Sequence, residues 1–281
     1  MHPGSGRVPG HGLARGAGRG GDCRAGVARI ACADVNRPSP LRCLISAGPT
    51  SEPIDAVRRM TNFSTGSLGT LLANALSMAG HEVVLMRSRA AVAPPPVFAV
   101  EVEPFSTAEE LRGLFERRAT TGPVWVLHAA AVGDFRCDGI HAREADGTFR
   151  AVVEPKVSTG HGELWMRLSP TPKLLSWMRG WFPNGRLVGW KYEANGSRAD
   201  ALARGREQLA SNRTDACVVN GPAHGPGYTV LRPGEGDALV SDASALAGWL
   251  ADRMARDGRA AAGNSPSLPS LLGPGHGIGT G

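Results

Sequence analysis

The sequence predicts an α/β protein: a Rossmann-like, mostly parallel sheet with flanking helices and a small antiparallel arm. Three observations predict it. Short apolar runs of strand length alternate with stretches of helical periodicity. At least one run, 124–132, is apolar enough to be covered on both faces, as a central parallel strand is. Two strand-like pieces at 149–153 and 163–168 break the alternation and form the arm.

Taken in order, 41–47 is an apolar strand running into Gly48-Pro49-Thr50. Leu68, Leu71, Leu72, Ala75 and Leu76 recur at helical spacing within 66–79, and Gly80 is placed to end that helix. A second strand follows at 82–86. Ser106 and Glu109 have capping-box spacing ahead of a helix that carries Leu111, Leu114 and Phe115. After the strand at 124–132 and the arm come a helix at 172–182, a strand at 186–190, a helix at 197–210 and a strand at 216–219. Five strands separated by helices imply parallel pairing through right-handed crossovers. Residues 228–231 read as a further edge strand and 243–254 as a closing helix.

The folded unit is expected over 40–257. Residues 1–39 and 258–281 are rich in Gly, Pro, Arg or Ser without apolar periodicity, and are expected to be disordered tails. Six arginines against Asp22 and Asp34 in the first 40 residues account for most of the formal charge of +6. The rest is nearly neutral and lacks a basic, aromatic-interleaved face, so no nucleic-acid partner is expected. No run is long and apolar enough for a membrane span. Cys23, Cys32, Cys43, Cys137 and Cys217 form no CxxC and have no zinc-ligand spacing, which fits free thiols in the cytoplasm.

In an open parallel sheet ligands bind beyond the carboxyl ends of the strands, so the loops after Ala47, Val132, Trp190 and Val219 carry the chemistry. The first is about eighteen residues long against a usual ~2–6, which marks a working loop. Its small residues let backbone N–H groups approach an anion at a helix N-terminus. It lacks GxGxxG and Walker spacing, which disfavours an ordinary dinucleotide or P-loop site. His128 and His161 are read as structural, because nothing in the sequence pairs either with a Ser or Asp.

These residues carry a resemblance. Gly48-Pro49-Thr50, Glu52-Pro53-Ile54-Asp55, Val57-Arg58, Asn62-Phe63-Ser64-Thr65-Gly66 and Gly69 resemble the opening motif of the phosphopantothenoylcysteine synthetase family. Ala129-Ala130-Ala131-Val132-Gly133-Asp134-Phe135, Lys156-Val157-Ser158-Thr159, Leu187 to Glu193 and Val218-Val219-Asn220 are similar to its later motifs, in the same order. The resemblance implies a homodimer that joins 4'-phosphopantothenate to cysteine in coenzyme A biosynthesis through an acyl-nucleotidylate, with CTP or ATP as co-substrate and Mg2+ accompanying it. It places Asn62 and Lys156 at the chemistry. Arg58, Asn62, Ala130, Ala131 and Asp134 fall at the phosphopantothenate, with Arg58 reaching from the neighbouring subunit. Gly48, Ser64, Gly66, Gly69, Trp190 and Asn220 fall at the nucleotide, Trp190 standing where the family usually has Phe. No metal ligands are assigned. Ser211-Asn212-Arg213 stands where some members carry a lysine. Two rivals share the sheet: an NAD(P)-dependent reductase, and a non-catalytic nucleotide-binding homologue.

Overall fold

A computed structural model describes residues 40–98 and 100–263. The expected N-terminal tail, and the C-terminal one beyond Gly263, lie outside the described residues. In chain order the elements are β1 (Arg42–Ala47), β2 (Ser51–Pro53), β3 (Arg59–Thr61), α1 (Ser67–Met78), β4 (Glu82–Ser88), β5 (Glu101–Phe105) and α2 (Ala108–Arg117). Then come β6 (Trp125–His128), β7 (Phe135–Arg143), β8 (Phe149–Ala151), β9 (Leu164–Pro170), α3 (Leu174–Trp181) and β10 (Arg186–Tyr192). The chain continues through α4 (Arg198–Asn212), β11 (Ala216–Asn220), β12 (Tyr228–Leu231), β13 (Ala238–Val240) and α5 (Ala243–Gly263).

The main sheet has the order β13-β12-β11-β10-β6-β1-β4-β5. The six strands from β11 to β5 are parallel, and β12 and β13 are added antiparallel. Numbered along the chain, the parallel strands lie in the order 3-2-1-4-5-6, the doubly wound arrangement. Chain direction across the sheet reverses between β1 and β6, and the ends of those two strands define the crevice where such folds take ligands.

Alternation along each strand builds two cores, one per face. Cys43, Ile45, Leu85, Leu127, Val188 and Val218 meet Leu72, Leu76, Leu246 and Leu250 of α1 and α5. On the other face Leu44, Met86, Val126 and Leu187 meet Leu111, Phe115, Leu174 and Met178 of α2 and α3. Farther along that face Cys217 and Val219 pack on Ala201 of α4. Each Leu or Phe so buried contributes ~1.5–3 kcal/mol against exposure.

Several elements differ from the sequence expectation. The strand-like pieces of the arm do not pair with each other: β7 lies between β8 and β9. β12 is not an edge, since β13 pairs beside it. The second helix starts one residue later than the Ser106 box implies. Thr107 is its cap, accepting from the Glu110 amide at 3.1 Å, and Glu110 in turn accepts from the Ser106 amide at 2.6 Å. Ser197 and Asp200 form a full capping box on α4. Helix α5 runs to Gly263, into the stretch expected to be tail. Four elements were missed outright: β5, β7, β13 and the β2–β3 hairpin inside the long first loop.

Candidate active site

The long loop after β1 is stitched to the loop after β6 at the reversal point. Pro49 and Ala131 form a parallel bridge. The Ala131 amide donates to the Gly48 carbonyl at 3.0 Å, and the Thr50 amide donates to the Ala131 carbonyl at 3.0 Å. The Asn62 side-chain amide reaches the same Ala131 carbonyl at 3.1 Å, so its exposed Oδ1 remains available as an acceptor. Thr50 Oγ1 accepts from the Gly133 amide at 2.9 Å, and Thr171 Oγ1 donates to the Gly133 carbonyl. Gly48, Asn62, Ala131 and Gly133 are thus fixed against one another by backbone bonds and by the side chains of Asn62, Thr50 and Thr171.

Three glycines do here what a compact glycine-rich loop does elsewhere. Gly48 (φ +89°) makes the turn out of β1, where a Cβ would sit 2.8 Å from the Ser88 Cβ. Gly66 (φ +79°) enters α1, and Gly69 lets that helix lie on β1, since a Cβ there would be 2.4 Å from the Ala47 Cβ. The hairpin is inserted between the first two, which is why the sequence shows no contiguous fingerprint. Gly66, at the cap position of α1, has no side chain to cap it, and the first turn holds no acidic residue, unlike α2 and α4; the Ser67 amide donates to Thr65 Oγ1 at 3.3 Å. With no carboxylate against it, the helix end presents positive potential to an anion. Ser64 is half-buried just ahead of it.

Two motif acids turn out to hold the scaffold. Glu52 is buried and accepts from the Ala108 amide at 2.8 Å, fastening the hairpin to the start of α2. Asp55 accepts from the amides of Val57 (2.9 Å), Arg58 (2.7 Å) and Val157 (3.2 Å) and from Arg58 Nε (3.0 Å). The Arg58 contacts first, then the backbone amides, hold its carboxyl well below the usual carboxylate range. Arg58 also donates to the Val157 carbonyl at 2.9 Å, so the hairpin tip is clasped to the segment that carries Lys156. Lys156 is exposed and makes no ion pair among the described residues.

A groove of about 700 Å³ opens between α3 and α4 beyond the ends of β6 and β10. Ala130 and Asp134 line it together with Trp190, but Asn62, Lys156 and Arg58 do not. The Trp190 side chain packs with the α1–α5 core, and its indole N–H is buried without a partner among the described residues. Asn220 lines a separate hollow of about 490 Å³ with Tyr192 and Tyr228. A third cavity, about 250 Å³ at the opposite ends of the strands, is rimmed by Arg186, Asp215, Arg232, Glu235, Arg253 and Asp257, which are already paired with one another.

Sequence reasoning missed three groove residues. Asp134 is ion-paired with Lys173. Lys191 and Arg204 share Glu193: burial opposes its charge, yet the two cations hold its carboxyl below the usual range. It also missed a pairing, since His128 Nδ1 lies 2.8 Å from the Oγ of Ser46, a residue silent in the sequence within an apolar strand. Arg87 donates to the carbonyls of Ala91 and Ala93 and braces the loop beside Gly48.

Residues 39–230 match the family model described as the DNA/pantothenate metabolism flavoprotein C-terminal domain. A coenzyme A biosynthesis bifunctional protein CoaBC of Thermococcus kodakarensis is 32% identical over 181 residues, 64% of this chain and 41% of that protein. The chain spans less than half the length of the curated relatives it matches most strongly. Among solved structures, the DNA/pantothenate metabolism flavoprotein of Streptococcus pneumoniae superposes with TM-score 0.67 at 22% identity, over 77% of this chain and 99% of that one. A Cab2 mutant in complex with phosphopantothenate-cysteine superposes with TM-score 0.60 at 16% identity, over 80% of this chain and 89% of that one.

Proposed function

The chain belongs to the DNA/pantothenate metabolism flavoprotein C-terminal domain family, and from that premise we propose that it is a phosphopantothenate–cysteine ligase of coenzyme A biosynthesis acting through an acyl-nucleotidylate. The observation that carries the reading is the α1 end, free of acidic residues in its first turn, with Gly48, Gly66 and Gly69, set beside the Asn62–Ala131 clamp at the sheet's reversal point.

The reaction needs a carboxylate to approach a polyphosphate, and like charges repel. Fixed donors and one cation answer that need better than a protein nucleophile would. In this reading the α1 end and its glycines receive the phosphates of CTP or ATP, with Ser64, Trp190 and Asn220 toward the nucleoside. Asn62 Oδ1 accepts from a substrate amide while its own amide is fixed on Ala131. Ala130, Ala131 and Asp134 border the phosphopantothenate. The carboxylate oxygen attacks the α-phosphorus and pyrophosphate leaves; the cysteine amine then attacks the acyl carbon and the nucleoside monophosphate leaves. Lys156 offsets the charge of the first step.

In this reading Mg2+ accompanies the triphosphate as part of the co-substrate. Lys156 and Arg58 sit on the hairpin–arm corner away from the groove, which suits their delivery to a second copy in a homodimer. Exposed Phe149, Trp165 and Val153 on the same arm give that contact an apolar component. Free Cys43, Cys137 and Cys217 support a cytoplasmic reaction in this reading; no described helix is long and apolar enough to cross a membrane.

The test is direct. Incubated with phosphopantothenate, cysteine and either CTP or ATP, the protein should yield phosphopantothenoylcysteine by mass spectrometry. No product with either nucleotide, alongside measurable nucleotide binding, would identify a non-catalytic homologue instead.

A further inference from the structure

His128 is a buried titratable side chain at the end of β6 that no step above uses. Its surroundings fix where its proton sits. Ser46 Oγ is fully buried and accepts from the Ala130 amide at 3.2 Å, because a backbone N–H can only donate. The hydroxyl hydrogen then has one acceptor among the described residues, His128 Nδ1 at 2.8 Å. Were Nδ1 protonated, that hydroxyl would be buried without an acceptor, the costly arrangement. Nδ1 is therefore bare and the proton is on Nε2. Burial pushes the ring pKa down to about 4, so the imidazole stays neutral near pH 7. Phe115 sets the ring plane by an edge contact with centroids 5.5 Å apart.

The other nitrogen has no hydrogen-bond partner among the described residues. His128 lines the α3–α4 groove and keeps 8% exposure there, and Nε2 is the ring nitrogen that Ser46 does not occupy. Lys173, Lys191 and Arg204 line the same groove; they are paired with Asp134 or Glu193, but each cation has more N–H donors than one carboxylate uses, which suits an anionic acceptor beside them. We propose that His128, held as its Nε2–H tautomer by Ser46, is a substrate-binding residue that donates to a carboxylate or phosphate oxygen of the acid substrate in this groove. The identity of that acid rests on the ligase reading.

The test combines a spectroscopic and a kinetic arm. In protein labelled with 15N-histidine, assigned by a His128→Phe variant, the His128 ring should show the bare-Nδ1, protonated-Nε2 pattern at pH 7. Phosphopantothenate should shift the Nε2 signal. Pantothenate alone reproducing the shift assigns the carboxylate, and inorganic phosphate reproducing it assigns the phosphate. An Nδ1–H tautomer, or an Nε2 signal unmoved by all three anions, overturns the proposal. In the kinetic arm His128→Phe should raise the phosphopantothenate KM about 10- to 100-fold, the effect of losing a hydrogen bond to a charged group. The nucleotide KM should not change, and His128→Gln, which keeps a donor amide, should restore most of the loss. Unchanged constants, or equal changes for all substrates together with a lowered melting temperature, show a purely structural ring. If the wild-type protein makes no product the ligase reading fails by itself, and the Nε2 shift still decides for or against an anion at His128.

Discussion

Replacing Gly69 by Ala tests how closely α1 must lie on β1 for the site to exist. The added Cβ would stand 2.4 Å from the Ala47 Cβ, 3.1 Å from the Ala47 Cα and 3.2 Å from the Ser46 carbonyl oxygen. Carbon atoms rest about 3.5–4.0 Å apart, so the helix must retreat by about 1 Å, and two of the three obstacles are backbone that cannot rotate aside. Overpacking of this kind costs ~1–3 kcal/mol. Ala regains up to ~1 kcal/mol of helix propensity over Gly. The net loss, up to ~2 kcal/mol, lowers the melting temperature by up to about 4–8 °C at ~2–4 °C per kcal/mol. The same shift carries the α1 amides away from the phosphates, so the nucleotide KM should rise while the cysteine KM does not. Gly248→Ala in α5 is the control. A Cβ there meets nothing within 4 Å, and the change should stabilise by ~0.4–1 kcal/mol. A Gly69→Ala protein with wild-type melting and wild-type nucleotide KM would refute the claim that this close approach builds the site.

The remaining predictions concern single side chains. Asp55 has its pKa depressed by folding, so its contribution is fully present above the ordinary carboxylate range and is lost only as pH falls through the lower folded-state value. The hairpin–arm clasp should therefore stay protected from hydrogen exchange at the Val57 and Val157 amides down to about pH 4, the ordinary value for Asp, whereas Asp55→Asn should expose both at pH 7. Lys156→Gln should slow pyrophosphate release by ~10²–10³-fold, the usual effect of losing a group that stabilises transition-state charge. It should leave the melting temperature unchanged, since Lys156 is exposed and unpaired; an unchanged rate removes Lys156 from the chemistry. Asn62→Asp sets a carboxylate against the Ala131 carbonyl and should lower turnover at least ~10-fold, the effect of a lost hydrogen bond of ~1.5 kcal/mol, with acyl-nucleotidylate accumulation followed by acid quench.

The parallel strands from β1 to β11 were legible because each is a short apolar run between turn residues, and the helices because their apolar positions recur at helical spacing. β5 was not, since Glu101 and Glu103 interrupt it at an exposed edge of the sheet. The β2–β3 hairpin hid because its strands are three residues each and held by long-range bonds such as that from Ala108 to Glu52. β7 hid behind exposed polar positions, and without it the arm's two remaining pieces were paired with each other. The candidate site was legible as loops after particular strands. The roles of Glu52 and Asp55 as fasteners, the Asp134–Lys173 pair and the Ser46–His128 pair depend on contacts between segments far apart in the chain, for which one sequence carries no pattern.

The central claim is that a carboxylate oxygen is delivered to the α-phosphorus of a nucleotide held at the sheet's reversal point. Phosphopantothenate labelled with 18O in both carboxylate oxygens, turned over with cysteine and the accepted triphosphate, follows that oxygen. One label should appear in the nucleoside monophosphate, none in pyrophosphate, and one should remain in the product amide. Label in orthophosphate, with a nucleoside diphosphate as co-product, would mean attack at the γ-phosphorus and would contradict the account.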